Sequence, residues 1–220
     1  KSTLMNLLFG LVRPDSGEIR VRGEAVSVHS PADAIGLGFG MVHQHFKLAG
    51  GMTVVENISL LLDRRALRPF HARQSARKVR ELADEFGLDV DPTARVDELS
   101  VGEQQRVEIL KLLMCGADVL ILDEPTGVLT PPEWEQLRSV LRQLRDEGKG
   151  IVFISHKLQE VLDLADRCTV LRRGSIVDTW SRAETDAKAM ARAMVGRDVQ
   201  ITRRPRTGAV GEPAVQLPGV

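Results

Sequence analysis

Three short aliphatic runs in this chain each end on a polar group able to do chemistry. Gly40-Met41-Val42-His43-Gln44 ends on an amide, Asp118-Val119-Leu120-Ile121-Leu122-Asp123 on a carboxylate followed by Glu124, and Ile151-Val152-Phe153-Ile154-Ser155 runs into His156. A carboxylate at a strand end suits a hard divalent cation, and the neighbouring Glu124 can polarise an attacking water. The stop at Pro125 also fits a solvated acidic turn, but the buried-type strand before it and the histidine-ended strand after it favour a site. Two further segments carry groups that anions need. Lys1-Ser2-Thr3 opens a helical stretch, offering an ammonium, hydroxyls and a helix start, although a tripeptide of this kind also reads as a plain helix cap. Ser100-Val101-Gly102-Glu103-Gln104 has the spacing of a capping box between Ser100 and Glu103. Capping leaves Gly102 unexplained: in a first turn it costs roughly 1 kcal/mol against Ala, and it lets a phosphate come close to the amides. Phosphate donors, a ligand sphere for magnesium, a water-orienting base and a sensor of the terminal phosphate are together the needs of a nucleotide-hydrolysing site.

The elements that must hold these groups follow from periodicity. Ser2 to Phe9 is helical, Pro14-Asp15-Ser16-Gly17 is a turn, and Glu18–Val21 with Ala25–Val28 alternates around Gly23 as a hairpin. From Thr53 to Cys115 the pattern is mostly helical, over Val54 to Leu62, Ala72 to Phe86 and Val101 to Met114. This block is the expected helical subdomain, at about 53–115. The runs around 120 and 152 have the continuous apolar character of strands buried on both faces of a parallel sheet, separated by a helix from Pro132 to Glu147. Lys157 to Ala165 is helical, Arg172-Arg173-Gly174 turns a last hairpin, and a helix covers roughly Glu184 to Val195. Alternating strand and helix predicts an α/β fold with a mostly parallel sheet, whose ligands gather at the carboxyl ends of the strands.

Composition narrows the function classes. Thirty Lys plus Arg balance thirty Asp plus Glu, so a nucleic-acid groove is not expected. Cys115 and Cys168 fit neither a metal spacing nor a disulfide framework and point to a reducing compartment. No apolar run approaches the roughly 20 residues needed to cross a bilayer. His43 and His45 flank Gln44 without a third ligand nearby and read as strand-flanking residues rather than metal ligands. Arg64, Arg65 and Arg68 read as a solvated basic face.

In order and spacing, these segments resemble the ABC ATPases, the P-loop NTPases of ABC transporters, over almost the whole chain. Lys1-Ser2-Thr3 is similar to the tail of Walker A, Gln44 to the Q-loop glutamine, and Leu99 to Gln104, written LSVGEQ, to the signature motif. Asp123 matches the Walker B aspartate, Glu124 the catalytic glutamate and His156 the switch histidine. The resemblance implies ATP and Mg²⁺ as cofactors. Lys1, Ser2 and Thr3 would hold phosphates, Ser2, Gln44 and Asp123 would serve the metal, Glu124 would orient water, and His156 would contact the γ-phosphate. Ser100, Val101, Gly102, Glu103 and Gln104 would face the other ATP of a head-to-tail dimer. Where the family shows an aspartate-ended D-loop this chain reads Gly127-Val128-Leu129-Thr130, which implies asymmetric coupling between the two sites.

Val128-Leu129-Thr130-Pro131, Ile154-Ser155-His156-Lys157-Leu158 and Met194-Val195-Gly196-Arg197 are similar to the sugar and nucleoside importer branch, whose members carry two ATPase domains in one chain. The LSVGEQQRVEI form leans to nucleosides. The implied organisation is an ATPase domain at 1–199, a linker at 200–213 and the start of a second ATPase domain at 214–220. The stretch begins at the Walker A lysine, so by itself it is expected to be inactive without the glycines of that loop. The implied partners are transmembrane permease subunits, a second ABC ATPase domain and, indirectly, a periplasmic or lipoprotein substrate-binding protein. The implied place is the cytoplasmic face of the plasma membrane. Two other readings stay open: a soluble ABC-type clamp acting on ribosomes or DNA, whose long basic insertions are missing from this neutral chain, and a non-catalytic ATP-binding domain.

Overall fold

The computed structural model describes residues 1–44, 46–62, 72–127 and 129–196. His45, the Arg64, Arg65 and Arg68 cluster, Val128, Arg197, the linker at 200–213 and the strand expected at 214–220 lie outside the described residues.

A three-stranded parallel sheet organises the molecule, in the order β3 (Phe39–Val42), β4 (Val119–Asp123) and β5 (Gly150–Ile154). The register pairs Val42 with Leu122 and Asp123 with Ile154, so all three strands finish at one edge. Alternation of side chains across the central strand gives the sheet two buried faces. Ile121 points into a cluster with Met41, Ile154, Met5, Phe9, Val28 and Ala34, which brings in α1 (Ser2–Leu8) and α2 (Pro31–Gly36). Leu120 and Leu122 point the other way. They join Val42 to the apolar stripes of α3 (Val54–Leu62), α4 (Ala72–Glu85), α5 (Val101–Met114) and α6 (Pro131–Asp146) in one continuous core.

Two antiparallel hairpins flank this body, β1 (Ile19–Val21) with β2 (Glu24–Val26), and β6 (Arg167–Arg172) with β7 (Ser175–Ser181). Both turn through an Arg-Gly pair at positive φ, Arg22-Gly23 and Arg173-Gly174, the form of two-residue turn that matches strand twist. The remaining helices are α7 (Leu158–Leu164) and α8 (Ala187–Val195).

Among the described residues the expected helices and strands occur close to their places, with two differences. α2 was not read from the sequence, although Ser30 caps it by accepting from the Asp33 amide at 3.2 Å and Pro31 stands at its first position. The last helix starts at Ala187 rather than near Glu184, because the Asp186 side chain accepts from the Ala189 amide at 2.7 Å and ends a separate short 3₁₀ turn at Arg182–Glu184.

The turn leaving α1 is tightly built. Gly10 sits at φ +72, and a β-carbon there would come within 2.6 Å of the backbone carbon and oxygen of Ser30, the residue that caps α2. Gly10→Ala therefore combines left-handed strain with a clash against backbone. We expect a loss of about 2–3 kcal/mol, read from the denaturation midpoint. An unchanged midpoint would show that the contact between α1 and α2 is looser than described.

Candidate functional site

The carboxyl edge of the sheet gathers four of the expected residues. Asp123 is the last residue of β4 and is buried, 5% exposed. Its Oδ1 has no hydrogen-bond partner among the described residues. A buried carboxylate oxygen without a partner is costly unless something outside the chain satisfies it, and a cation does so. Glu124 follows in a left-handed conformation, φ +50, uncommon for a residue with a side chain. Its amide donates to the Ile154 carbonyl at 3.0 Å and so carries the parallel pairing one residue past the strand. That backbone turn brings Glu124 Oε1 to 3.4 Å from His156 Nδ1. Gln44 lies two residues beyond β3 at the same edge, with its side chain in solvent.

The other predicted residues stand apart. Lys1, Ser2 and Thr3 open α1 and are exposed. No hydrogen bond or ion pair among the described residues joins them to Gln44, Asp123 or Glu124. His43 is half-buried, and its ring meets Phe9 edge-on at 6.1 Å, the strand-flanking role expected of it. Burial, with the charge of Lys47 adding to it, holds its imidazole below the usual value.

The signature segment forms the expected capping box. Ser100 Oγ accepts from the Glu103 amide at 3.3 Å, and Glu103 Oε2 accepts from the Ser100 amide at 2.8 Å. Hydrogen bonding to its carboxyl by the Ser100 side chain, and then by the Ser100 amide, holds Glu103 below the usual carboxylate range. Gln104 turns back to the loop before the helix, donating to the Leu99 carbonyl at 3.1 Å, while Val101 is exposed. Gly102 has a reason inside the chain as well as the one suggested by phosphate approach. A β-carbon there would come within 2.7 Å of the Glu133 carboxyl carbon. Glu133 is not free to move aside, since its Oε2 accepts from the Thr130 amide at 2.8 Å and the Thr130 hydroxyl at 2.7 Å at the start of α6.

Three buried charged groups were missed in the sequence. Glu160, on α7, is 7% exposed and binds both the loop after β4 and the loop after β5. On α5, Glu108 and Lys111 form a buried ion pair at 3.1 Å, and both hold the backbone of Lys47. Glu108 Oε1 accepts from the Lys47 amide at 2.8 Å, and Lys111 Nζ donates to its carbonyl at 3.3 Å. The segment just past Gln44 is thereby fastened to the helix that begins at the signature. Charges three residues apart inside a helix otherwise buried on every side, with Val107, Ile109, Leu110 and Leu112 around them, were the available signal.

The donor set fits magnesium better than a metal held by protein alone. Among the described residues no group of three or more His, Cys, Asp or Glu side chains could hold a metal ion. Magnesium is commonly bound by one or two carboxylates together with substrate phosphates, and Asp123 supplies one such carboxylate with an unsatisfied oxygen.

Comparisons with known proteins give the family and the fold. The family model described as ABC transporter matches residues 1–127. The chain is 47% identical over 199 residues to the nucleoside import ATP-binding protein NupA of Lactococcus lactis, covering 90% of this chain and 39% of that protein. It is 44% identical over 220 residues to the guanosine import ATP-binding protein NupO of Bacillus subtilis, covering all of this chain and 43% of the relative. The glucose import ATP-binding protein TsgD13 of Haloferax volcanii is 43% identical, with 45% of its length covered. The chain thus spans less than half the length of these curated relatives. Among solved structures, the ATP-binding cassette MJ1267 of an ABC transporter superposes with a TM-score of 0.77 at 23% identity, covering 89% of this chain and 82% of that one. Its ADP conformation superposes with a TM-score of 0.71 at 22% identity, covering 89% and 79%. The fold is that of an ABC ATPase cassette, the family model covers more than half of the residues, and this chain belongs to the ABC transporter family.

Proposed function

We propose that this chain binds and hydrolyses ATP to power an importer of nucleosides or simple sugars. The observation that carries the reading is the carboxyl edge of β4 and β5, where the buried, unsatisfied Asp123 lies next to a Glu124 held 3.4 Å from His156. In this reading Glu124, 30% exposed in its side chain and so within reach of water, orients the attacking water and takes its proton as the water oxygen bonds to the γ-phosphorus and ADP leaves. His156 contacts the γ-phosphate. Lys1, Ser2 and Thr3 hold phosphates, and Asp123, Gln44 and Ser2 are the groups that would hold Mg²⁺. When bound, the metal supplies charge neutralisation on the phosphate oxygens. The segment Ser100, Val101, Gly102, Glu103 and Gln104 serves the ATP of a second ABC ATPase domain. The exposure of Ser100 and Val101 at the start of α5 supports that division.

The organisation that goes with this function is an ATPase domain at 1–199 with a helical subdomain at about 53–115, a linker at 200–213 and the start of a second domain at 214–220. Permease subunits in the membrane and a substrate-binding protein outside it are the partners, and nucleic acid is not. No described helix is long and apolar enough to cross a membrane. In this reading the chain attaches to the cytoplasmic face through the permease. The substrate range is supported by relatives whose names specify import of nucleosides, guanosine and glucose.

The test is uptake of labelled nucleosides and of labelled ribose by cells with and without the full-length protein. Loss of nucleoside uptake alone places it with the nucleoside importers, and loss of ribose uptake alone with the sugar importers. Unchanged uptake of both would sink the importer reading for these substrates.

A further inference from the structure

Glu124 and His156 are close together near the surface. Their side chains are 30% and 58% exposed, so water reaches both and their separation depends on the two loops that carry them. These loops leave different strands. Besides the Glu124 amide's bond to the Ile154 carbonyl, one buried carboxylate joins them. Glu160 Oε2 accepts from the Thr126 hydroxyl at 2.6 Å, two residues after Glu124, and from the Ser155 hydroxyl at 3.0 Å, one residue before His156. Its Oε1 lies 3.1 Å from Lys157 Nζ, which in turn donates to the Thr126 carbonyl at 2.8 Å. The Lys157 amide donates to Ser155 Oγ at 3.0 Å and closes the ring. Every bond of this ring lands on a residue within two positions of Glu124 or His156. A carboxylate taken from water needs its oxygens satisfied, and here both oxygens are satisfied by these two loops.

We propose that Glu160 is a positioning residue for ATP hydrolysis, acting through Thr126, Ser155 and Lys157 as a brace that sets the separation of Glu124 and His156. The proposal rests on the reading of that pair as the hydrolytic residues. Glu160→Gln keeps the volume but places amide hydrogens against either the two hydroxyls or the Lys157 ammonium. Thr126→Val keeps the shape and removes one hydroxyl, whereas Thr126→Ser keeps the hydroxyl.

The experiment measures kcat and KM for ATP, and the Tm, for these three variants of the full-length protein, with crystal structures of the wild type and of Thr126→Val. A small misplacement of catalytic groups lowers the rate sharply, so Glu160→Gln and Thr126→Val are expected to lose about 10- to 100-fold in kcat with KM changed by less than about threefold. Thr126→Ser is expected to retain the wild-type kcat. The proposal is overturned if both isosteric variants keep kcat within about twofold, if Thr126→Ser loses as much as Thr126→Val, or if the rate falls only in step with Tm. If the wild type hydrolyses no ATP, the hydrolytic reading itself fails. The brace is then judged on the structures alone: a widened gap between Glu124 and His156 in Thr126→Val upholds it as the element that holds the loops, and an unchanged gap overturns it.

Discussion

Glu124→Gln in the full-length protein is expected to lower kcat for ATP hydrolysis by about 10²- to 10⁴-fold, the usual contribution of a positioned general base. At about 1.36 kcal/mol per decade this is roughly 3–5 kcal/mol of transition-state stabilisation. Glutamine keeps the shape, and it meets the same left-handed backbone at φ +50, so the fold should be undisturbed. It cannot take a proton from water. Affinity for ATP should be nearly unchanged, because what is lost is an interaction made only as the reaction proceeds. Phosphate release and nucleotide binding, measured side by side, check both halves of the expectation. A variant that turns over ATP within about threefold of wild type would remove Glu124 from its assigned role and favour a non-catalytic domain.

Lys111→Met is expected to cost about 3–5 kcal/mol of stability, the usual effect of leaving one member of a buried pair alone. The side chains of Glu108 and Lys111 are only 5% and 10% exposed, so solvent screens them little. Methionine fills the space but leaves the Glu108 carboxylate with the Lys47 amide as its remaining partner among the bonds described above. Against a total of about 5–15 kcal/mol for a typical domain, that is a large share. The double variant Glu108→Gln, Lys111→Met should recover much of the loss, since the uncompensated charge is then gone. Denaturation of the two single variants and the double one forms a cycle that isolates the pair. If Lys111→Met shifts the midpoint no more than an exposed lysine does, the ion pair contributes nothing and Lys47 is held by other means.

Much of the carboxyl edge of the sheet could be read from residues alone. β4 and β5 are unbroken aliphatic runs because both faces of the sheet are covered, and such runs announce where they end. Asp123, Glu124 and His156 sit at those ends, and the structure brings them together. Ser100 and Glu103 were legible as a cap because the partners are three residues apart. What escaped reading depends on contacts between distant segments. Glu160 reaches Thr126 across 34 residues, and nothing in the local pattern of α7 separates a buried carboxylate from a solvated one. The clash that Gly102 avoids comes from Glu133, on a different helix, so the glycine could be assigned only to a ligand. α2 is a different case, since Ser30 and Pro31 carried its start signal in plain view and its six residues are too few to display a periodic face.

The contact between Gly102 and Glu133 also bears on how sequences of this kind can diverge. The carboxylate that occupies the space beside Gly102 is the one that starts α6, so neither position is free to vary alone. A larger residue at 102 calls for a shorter or redirected one at 133, and that change in turn gives up the bonds to Thr130. Drift at the signature is therefore tied to drift at the segment after Glu124, and a lineage that altered one would carry the mark of it in the other.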